Sequence, residues 1–204
     1  MRAVIISGGS IADYGYIRQQ IRDGDTIICA DSGYNHAVKL GVKPSIVVGD
    51  FDSIGEIPAD VACLTYPARK DLTDTELAIA YAHDKGFEDF LILAGTGTRV
   101  DHGLTNILLL KGILASGGRG MVVDEHNKVM MTDSVLALEA PPGSIVSLVP
   151  IADCQGVTTE NLEYPLENAN MYVGKGLGVS NVMTKETATV SITAGLLLVI
   201  IAKD

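Results

Sequence analysis

Short, almost uninterrupted apolar runs alternate with helix-forming stretches through the first 124 residues of the chain. The runs cover residues 3–7, 26–30, 45–48, 63–65, 90–93 and 121–123; the helical stretches cover 13–21, 33–40, 73–85 and 101–115. A strand that is apolar on both faces needs cover on both faces, and parallel neighbours need a crossover between them. The alternation therefore predicts an α/β fold, a Rossmann-like parallel sheet with helices on both faces. Thr73 and Glu76 form a T-x-x-E pair that marks a helix start. In the 101–115 stretch, Leu104, Ile107, Leu108, Leu110 and Leu114 make the expected apolar face.

The pattern changes after Asp124. Short β-type runs recur at 129–131, 135–138, 144–149, 170–173, 187–192 and 196–201, with turn signals at Pro141-Pro142-Gly143 and Thr193-Ala194-Gly195. These predict an all-β part, an antiparallel β-sandwich. The expected domains are 1–124, α/β, and 125–204, β-sandwich. The longest apolar run, 196–202, is far below the roughly 20 residues that cross a bilayer, so it reads as a buried strand. The apolar run after Arg2 is too short for a secretory leader. Three widely spaced cysteines, Cys29, Cys63 and Cys154, form no disulfide framework or C-x-x-C site, which fits a reducing, cytoplasmic compartment.

Charge narrows the function. The chain carries 25 acidic and 15 basic residues, a formal charge of −10, which argues against a nucleic-acid partner. Thirteen aspartates precede residue 125 and three follow it. Aspartate suits turns and caps, but also hard-metal ligation. In open α/β sheets, ligands gather beyond the carboxyl ends of the strands. Four expected loops at that edge are acidic: one with Asp31, one with Asp50 and Asp52, one with Asp71 and Asp74, and one with Asp101. If the segment after the third strand is extended, Asp50 and Asp52 point the same way and Phe51 turns into the core. Two such carboxylates suit Mg²⁺, although D-x-D also fits an ordinary capped turn.

Asp71 and Asp74 flank the start of the 73–85 helix, where carboxylates also stabilise the helix dipole. Lys70 is unfavourable beside that dipole; phosphate contact is one reason for it, a solvated surface site the other. The Gly95-Thr96-Gly97-Thr98-Arg99 stretch allows close backbone approach to a phosphate, and Arg99 offers a donor fork. Residues 7–10, Ser-Gly-Gly-Ser, are a second candidate cradle. His102 and Asn106 share one helical face; His102 fits a phosphate contact, an orienting partner for Asp101, or a packed histidine. Neither a P-loop nor a G-x-S-x-G elbow occurs. Metal, phosphate and carboxylate without a protein nucleophile point to phosphoryl-type transfer.

The set resembles the thiamine pyrophosphokinase family. The resemblance rests on Ala30-Asp31-Ser32-Gly33, Gly49-Asp50-Phe51-Asp52-Ser53, Lys70-Asp71-Leu72-Thr73-Asp74-Thr75-Glu76, Arg99-Val100-Asp101-His102 with Asn106, and Gly176-Leu177-Gly178-Val179-Ser180-Asn181. It implies transfer of a pyrophosphoryl group from ATP to the hydroxyl of thiamine, with Mg²⁺, by a homodimer whose site is shared between subunits. By that likeness Asp50, Asp52 and Asp71 hold Mg²⁺, and Asp71 or Asp101 accepts the substrate's proton. Asp31, Lys70, Asp74, Arg99, His102 and Asn106 bind ATP, and Ser180 and Asn181 line the thiamine pocket. Two departures stand out: Gly-Thr-Gly-Thr-Arg replaces a double glycine before the arginine, and the chain has no Trp to stack on thiamine. Tyr172 is a candidate in its place, although its expected strand position favours a packing role. The rival readings are a Mg²⁺- or Mn²⁺-dependent phosphoesterase and a non-catalytic thiamine or nucleotide sensor.

Overall fold

The computed structural model describes residues 1–52, 54, 57–67 and 71–203, and its backbone divides into two compact units, 1–125 and 126–204. In the first unit, β1 (Arg2–Ile6), β2 (Thr26–Ala30), β3 (Ile46–Gly49), β4 (Ala62–Thr65), β5 (Asp89–Leu93) and β6 (Arg119–Val123) form one sheet. Its order is β4-β3-β2-β1-β5-β6, and every pairing is parallel. The chain builds outward from β1 to β4, then returns to the other side of β1 for β5 and β6. That reversal opens a crevice at the carboxyl ends of β1 and β5.

The expected double cover is present. On one face Val4, Ile6, Cys29, Val47, Leu91 and Leu93 pack with Ile17 of α1 (Tyr14–Gln20) and with Tyr34, Ala37 and Leu40 of α2 (Gly33–Leu40). The alternate residues Ile5, Ile28, Val48 and Ile92 are fully buried on the other face, as the two-residue period of a strand requires. There α3 (Asp74–Asp84) packs on β1, β2 and β3. Its Ala78 and Ala82, one turn apart, are fully buried and let the helix sit close. The Thr73 hydroxyl caps it, accepting from the Glu76 N–H at 3.2 Å.

The expected 101–115 helix is two helices, α4 (Val100–Leu108) and α5 (Leu110–Ala115). Leu109 keeps helical dihedrals (φ −60°, ψ −23°), so the interruption is a local slackening of the hydrogen-bond ladder. The buried face also differs. Leu104 and Leu108 are 53% and 38% exposed, whereas Asn106, Leu110 and Ile113 are buried. Of the expected apolar set only Leu110 is buried; the periodicity passed over Asn106 because it is polar.

The second unit is antiparallel throughout. It comprises β7 (Asn127–Thr132), β8 (Val135–Glu139), β9 (Ile145–Glu160), β10 (Ala169–Met171), β11 (Asn181–Val182), β12 (Thr187–Ser191) and β13 (Ala194–Ala202). The 16-residue β9 serves two layers. Its first half pairs with β13, which pairs onward with β7; its last residues pair with β12, which pairs onward with β8. Only residues 144–149 of this strand are legible from apolar runs, because Asp153, Gln155 and Gly156 break the pattern where β9 changes layer. Leu138, Val146, Leu148, Val157, Met171, Met183, Val190 and Val199 form the buried interior.

Gly33 sets how closely α2 begins behind β1. A Cβ there would lie 1.9 Å from the Ile6 carbonyl oxygen, a backbone atom that cannot swing aside. Gly33→Ala should therefore lower stability by about 1–3 kcal/mol, read from urea denaturation. An unchanged midpoint would show that the β1–α2 junction relaxes freely.

Candidate functional site

The crevice at the β1/β5 reversal holds a cavity of about 610 Å³. Its walls come from residues 7–10 after β1, 30–32 after β2, Asp50 after β3, 72–75 at the start of α3, and 95–99 after β5. His102, Gly103 and Asn106 of α4 complete it.

The loops after β1 and β5 continue the strand pairing beyond the sheet. The N–H groups of Ser7, Gly9 and Ser10 donate to the carbonyls of Leu93, Ala94 and Thr96 at 2.9, 2.8 and 2.8 Å. This corrects the reading of residues 7–10 as a phosphate cradle: three of the four amides are spent on the end of β5 and the loop that follows it. The glycines serve close approach instead, since a Cβ on Gly9 would lie 2.1 Å from the Thr96 carbonyl oxygen. His36, which sequence reasoning missed, braces the same loop. Its Nε2 lies 2.9 Å from the Gly9 carbonyl and its Nδ1 2.7 Å from the Tyr14 hydroxyl. A lone histidine within a helix pattern carries no signal for that role.

Asp31, Asp50 and Asp52 converge, with one carboxylate oxygen from each within 4.8 Å of the others. Hard oxygen donors in this number suit Mg²⁺, and three like charges this close repel one another unless a cation lies between them. Asp50 and Asp52 meet through a turn rather than the extended segment expected. Phe51 has φ 65°, and the Asp52 N–H donates to Asp50 Oδ1 at 3.3 Å. Phe51 still packs against the core. Asp31 (φ 43°) and Ala94 (φ 51°) are also left-handed, so the strand ends after β2, β3 and β5 each carry a strained residue. Such residues cost of order 1–3 kcal/mol and collect at functional sites.

The remaining sequence candidates distribute as follows. Asp74, Arg99, His102 and Asn106 line the cavity with Asp31 and Asp50. Asn106 is buried and its amide donates to the Gly95 carbonyl at 2.7 Å, so it pins the glycine-rich loop. Asp71 is exposed and lies outside both the cavity wall and the three-carboxylate group, whose third member is Asp31. Lys70 lies outside the described residues. Arg99 grips Asp101 through Nε at 3.2 Å and Nη2 at 2.6 Å, with both side chains about two-thirds exposed (68% and 64%). The Arg99 hydrogen bonds, with a backbone bond from His102, pull the Asp101 carboxyl down to about 2. A carboxylate that acidic is a weak proton acceptor.

In the second unit Ser180 is exposed and left-handed (φ 59°), and its N–H donates to the Ser147 hydroxyl at 3.1 Å. Asn181 is buried and brackets Tyr164. Its Nδ2 donates to the Tyr164 carbonyl at 2.7 Å and its Oδ1 accepts the Tyr164 N–H at 3.0 Å. Tyr172, Val173, Leu177 and Val179 are about half exposed in one segment between β10 and β11.

A parallel sheet whose reversal point gathers carboxylates, glycine-rich loops and an arginine defines an α/β enzyme of phosphoryl-transfer type. Comparison with known proteins narrows the class. A family model described as thiamin pyrophosphokinase, catalytic domain, matches residues 17–119, and one described as thiamin pyrophosphokinase, vitamin B1 binding domain, matches 134–197. The thiamine pyrophosphokinase of Bacillus subtilis (strain 168) is 30% identical over 194 residues, 87% of each chain. Thiamin pyrophosphokinase 1 of Caenorhabditis elegans is 26% identical over 153 residues, 69% of this chain and 63% of that one. The crystal structure of the Bacillus subtilis enzyme superposes with a TM-score of 0.91 at 26% identity over all of both chains. That of Geobacillus thermodenitrificans gives 0.86 at 25% identity, over 100% of this chain and 98% of that one. The chain belongs to the thiamin pyrophosphokinase family. Its activity is that of a thiamine diphosphokinase: pyrophosphoryl passes from ATP to the thiamine hydroxyl, giving thiamine diphosphate and AMP. The phosphoesterase alternative finds no support among these relatives.

Because Arg99 is the main cause of Asp101's acidity, Arg99→Gln should move the Asp101 pKa up from about 2 toward the ordinary aspartate range. In the parent chain Asp101 stays ionised until pH falls to about 2; in the variant it takes up its proton at higher pH. Carboxyl NMR titration reads the change, and an unmoved value would show that the ion pair is not the cause.

Proposed function

We propose that the reaction takes place in the β1/β5 cavity, with Mg²⁺ held by Asp31, Asp50 and Asp52. The observation that carries this reading is the convergence of those three carboxylates, two of which, Asp31 and Asp50, wall a cavity with Arg99, His102 and the glycine-rich loops. When bound, Mg²⁺ supplies charge neutralisation and orientation of the phosphates. Arg99 and His102, with Lys70, take the remaining phosphate charge, and Asp74 lies beside them on the cavity wall. Asn106 serves ATP by fixing the 95–99 loop. The thiamine hydroxyl oxygen bonds to the β-phosphorus as the bond to the α-phosphate oxygen breaks and AMP leaves. Asp71 or Asp101 accepts the hydroxyl proton on this reading.

The second domain, 125–204, then serves thiamine and dimerisation, and the first, 1–124, catalysis. Ser180 supplies thiamine contacts from an exposed position, while Asn181 shapes the pocket through Tyr164. We read the chain as a cytoplasmic homodimer with the site shared between subunits. The half-exposed apolar segment at residues 172–179 and the exposed Val100, Leu104 and Leu108 on one side of α4 support a covering second copy. Three free cysteines support a reducing compartment, and among the described residues no helix is long and apolar enough to cross a membrane.

Incubation with ATP, Mg²⁺ and thiamine should yield AMP and thiamine diphosphate, and chelation of the metal should stop it. Asp52→Asn should lower kcat by about 100-fold or more with unchanged circular dichroism; near-normal turnover would remove Asp52 from the metal site. Light scattering at assay concentration should report a dimer, and a fully active monomer would sink the shared site.

A further inference from the structure

We propose that Asp124 and Glu125, immediately after β6, are positioning residues that clamp the two glycine-rich loops of the ATP site; the inference rests on reading the β1/β5 cavity as that site. The direct pairing between the two loops reaches only as far as Ser10 and Thr96. Beyond it, the chain after β1 must still turn through Ile11 and Ala12 to begin α1. Glu125 takes over there. A single oxygen, Oε1, accepts the N–H groups of Ala12 at 2.5 Å and Asp13 at 2.8 Å. Asp13 in turn caps α1, its Oδ1 accepting the Tyr16 N–H at 2.9 Å. The neighbouring carboxylate holds the other loop: Asp124 Oδ2 accepts the Thr96 hydroxyl proton at 2.9 Å.

Neither carboxylate is part of the cavity wall, whereas Ser10 and Thr96, on the loops they hold, are. Their effect on ATP therefore passes through the backbone. Loops rich in glycine lose more freedom on ordering than other segments, so an unclamped pair would pay that cost when ATP binds. Charge-assisted bonds to backbone N–H groups are about twice as strong as neutral ones, which suits carboxylates to the task. Two adjacent residues at the end of one strand thus set the spacing of two loops separated by more than eighty residues of chain.

The clamp predicts an asymmetric kinetic effect. Glu125→Ala should raise KM for ATP about tenfold and leave KM for thiamine within about twofold. Amide exchange at Ala12 and Asp13 should quicken at least about tenfold, with the β1 amides unchanged. Glu125→Gln keeps an acceptor oxygen in place and should recover most of the loss. Asp124→Ala should likewise act on ATP alone, with Asp124→Asn recovering it, so the test stands even if one alanine variant fails to fold. Equal rises in both KM values, a glutamine variant as impaired as the alanine one, or an ATP KM unchanged in both alanine variants would each overturn the clamp. Adding ATP and Mg²⁺ to the parent enzyme separates this from the underlying reading. Protection of the amides at residues 95–99 with unchanged KM values in the variants overturns the clamp alone. No protection there overturns the ATP site, and the clamp with it.

Discussion

β1 pairs on both sides, with β2 and with β5, and the site lies where those pairings part. Had the chain continued outward past β4, the central strands would carry no crevice. Because it returns to the far side of β1, the segments leaving β1 and β5 face each other before diverging. Their backbones remain bonded for three further rungs, from Ser7 to Ser10. Only glycine permits that approach at residue 9, where any side chain would meet the Thr96 carbonyl. The glycines in this crevice thus answer first to loop–loop contact, and the cavity is what that contact leaves open.

Electrostatics then works against folding at the same edge. Asp31, Asp50 and Asp52 crowd together in a chain already at −10, and Asp31, Phe51 and Ala94 occupy left-handed backbone. Crowded like charges and left-handed backbone are each unfavourable taken alone. What over-determines the arrangement is the apolar sheet beneath it, with Ile6, Cys29, Val48 and Leu93 fully buried at the strand ends. A bound cation relieves the charge term but not the backbone term. The site is therefore preorganised by packing, and a cation among the carboxylates would lessen their mutual repulsion.

The architecture is legible from the sequence because two-sided burial leaves a one-dimensional trace, the uninterrupted apolar run. The change to short strands after Asp124 is legible for the same reason. Where a polar residue takes a buried place the trace fails. Asn106 hides the true face of α4, and Asp153, Gln155 and Gly156 hide the second half of β9. At the site, the motifs indicate which loops matter but not how they share the work. Asp31 lies at the end of its own strand, far in sequence from Asp50, so only the parallel pairing of β2 with β3 brings the two together. Glu125 bonds a loop more than a hundred residues earlier, and no local pattern records such a contact.

The Arg99–Asp101 pair carries the electrostatic argument into the reaction. Arg99 is bonded to a carboxylate, yet both partners are open to solvent. Solvent screens an exposed pair, so on the proposed reading a triphosphate competes for Arg99 at small cost. Asp101 lies off the cavity wall while Arg99 and His102, on either side of it in sequence, line it. The aspartate thus fixes the guanidinium of a residue that lines the cavity. That arrangement gives Arg99 a defined resting place without a buried ion pair, whose disruption would cost several kcal/mol. A carboxylate whose affinity for protons depends on where the arginine points makes a poor fixed base.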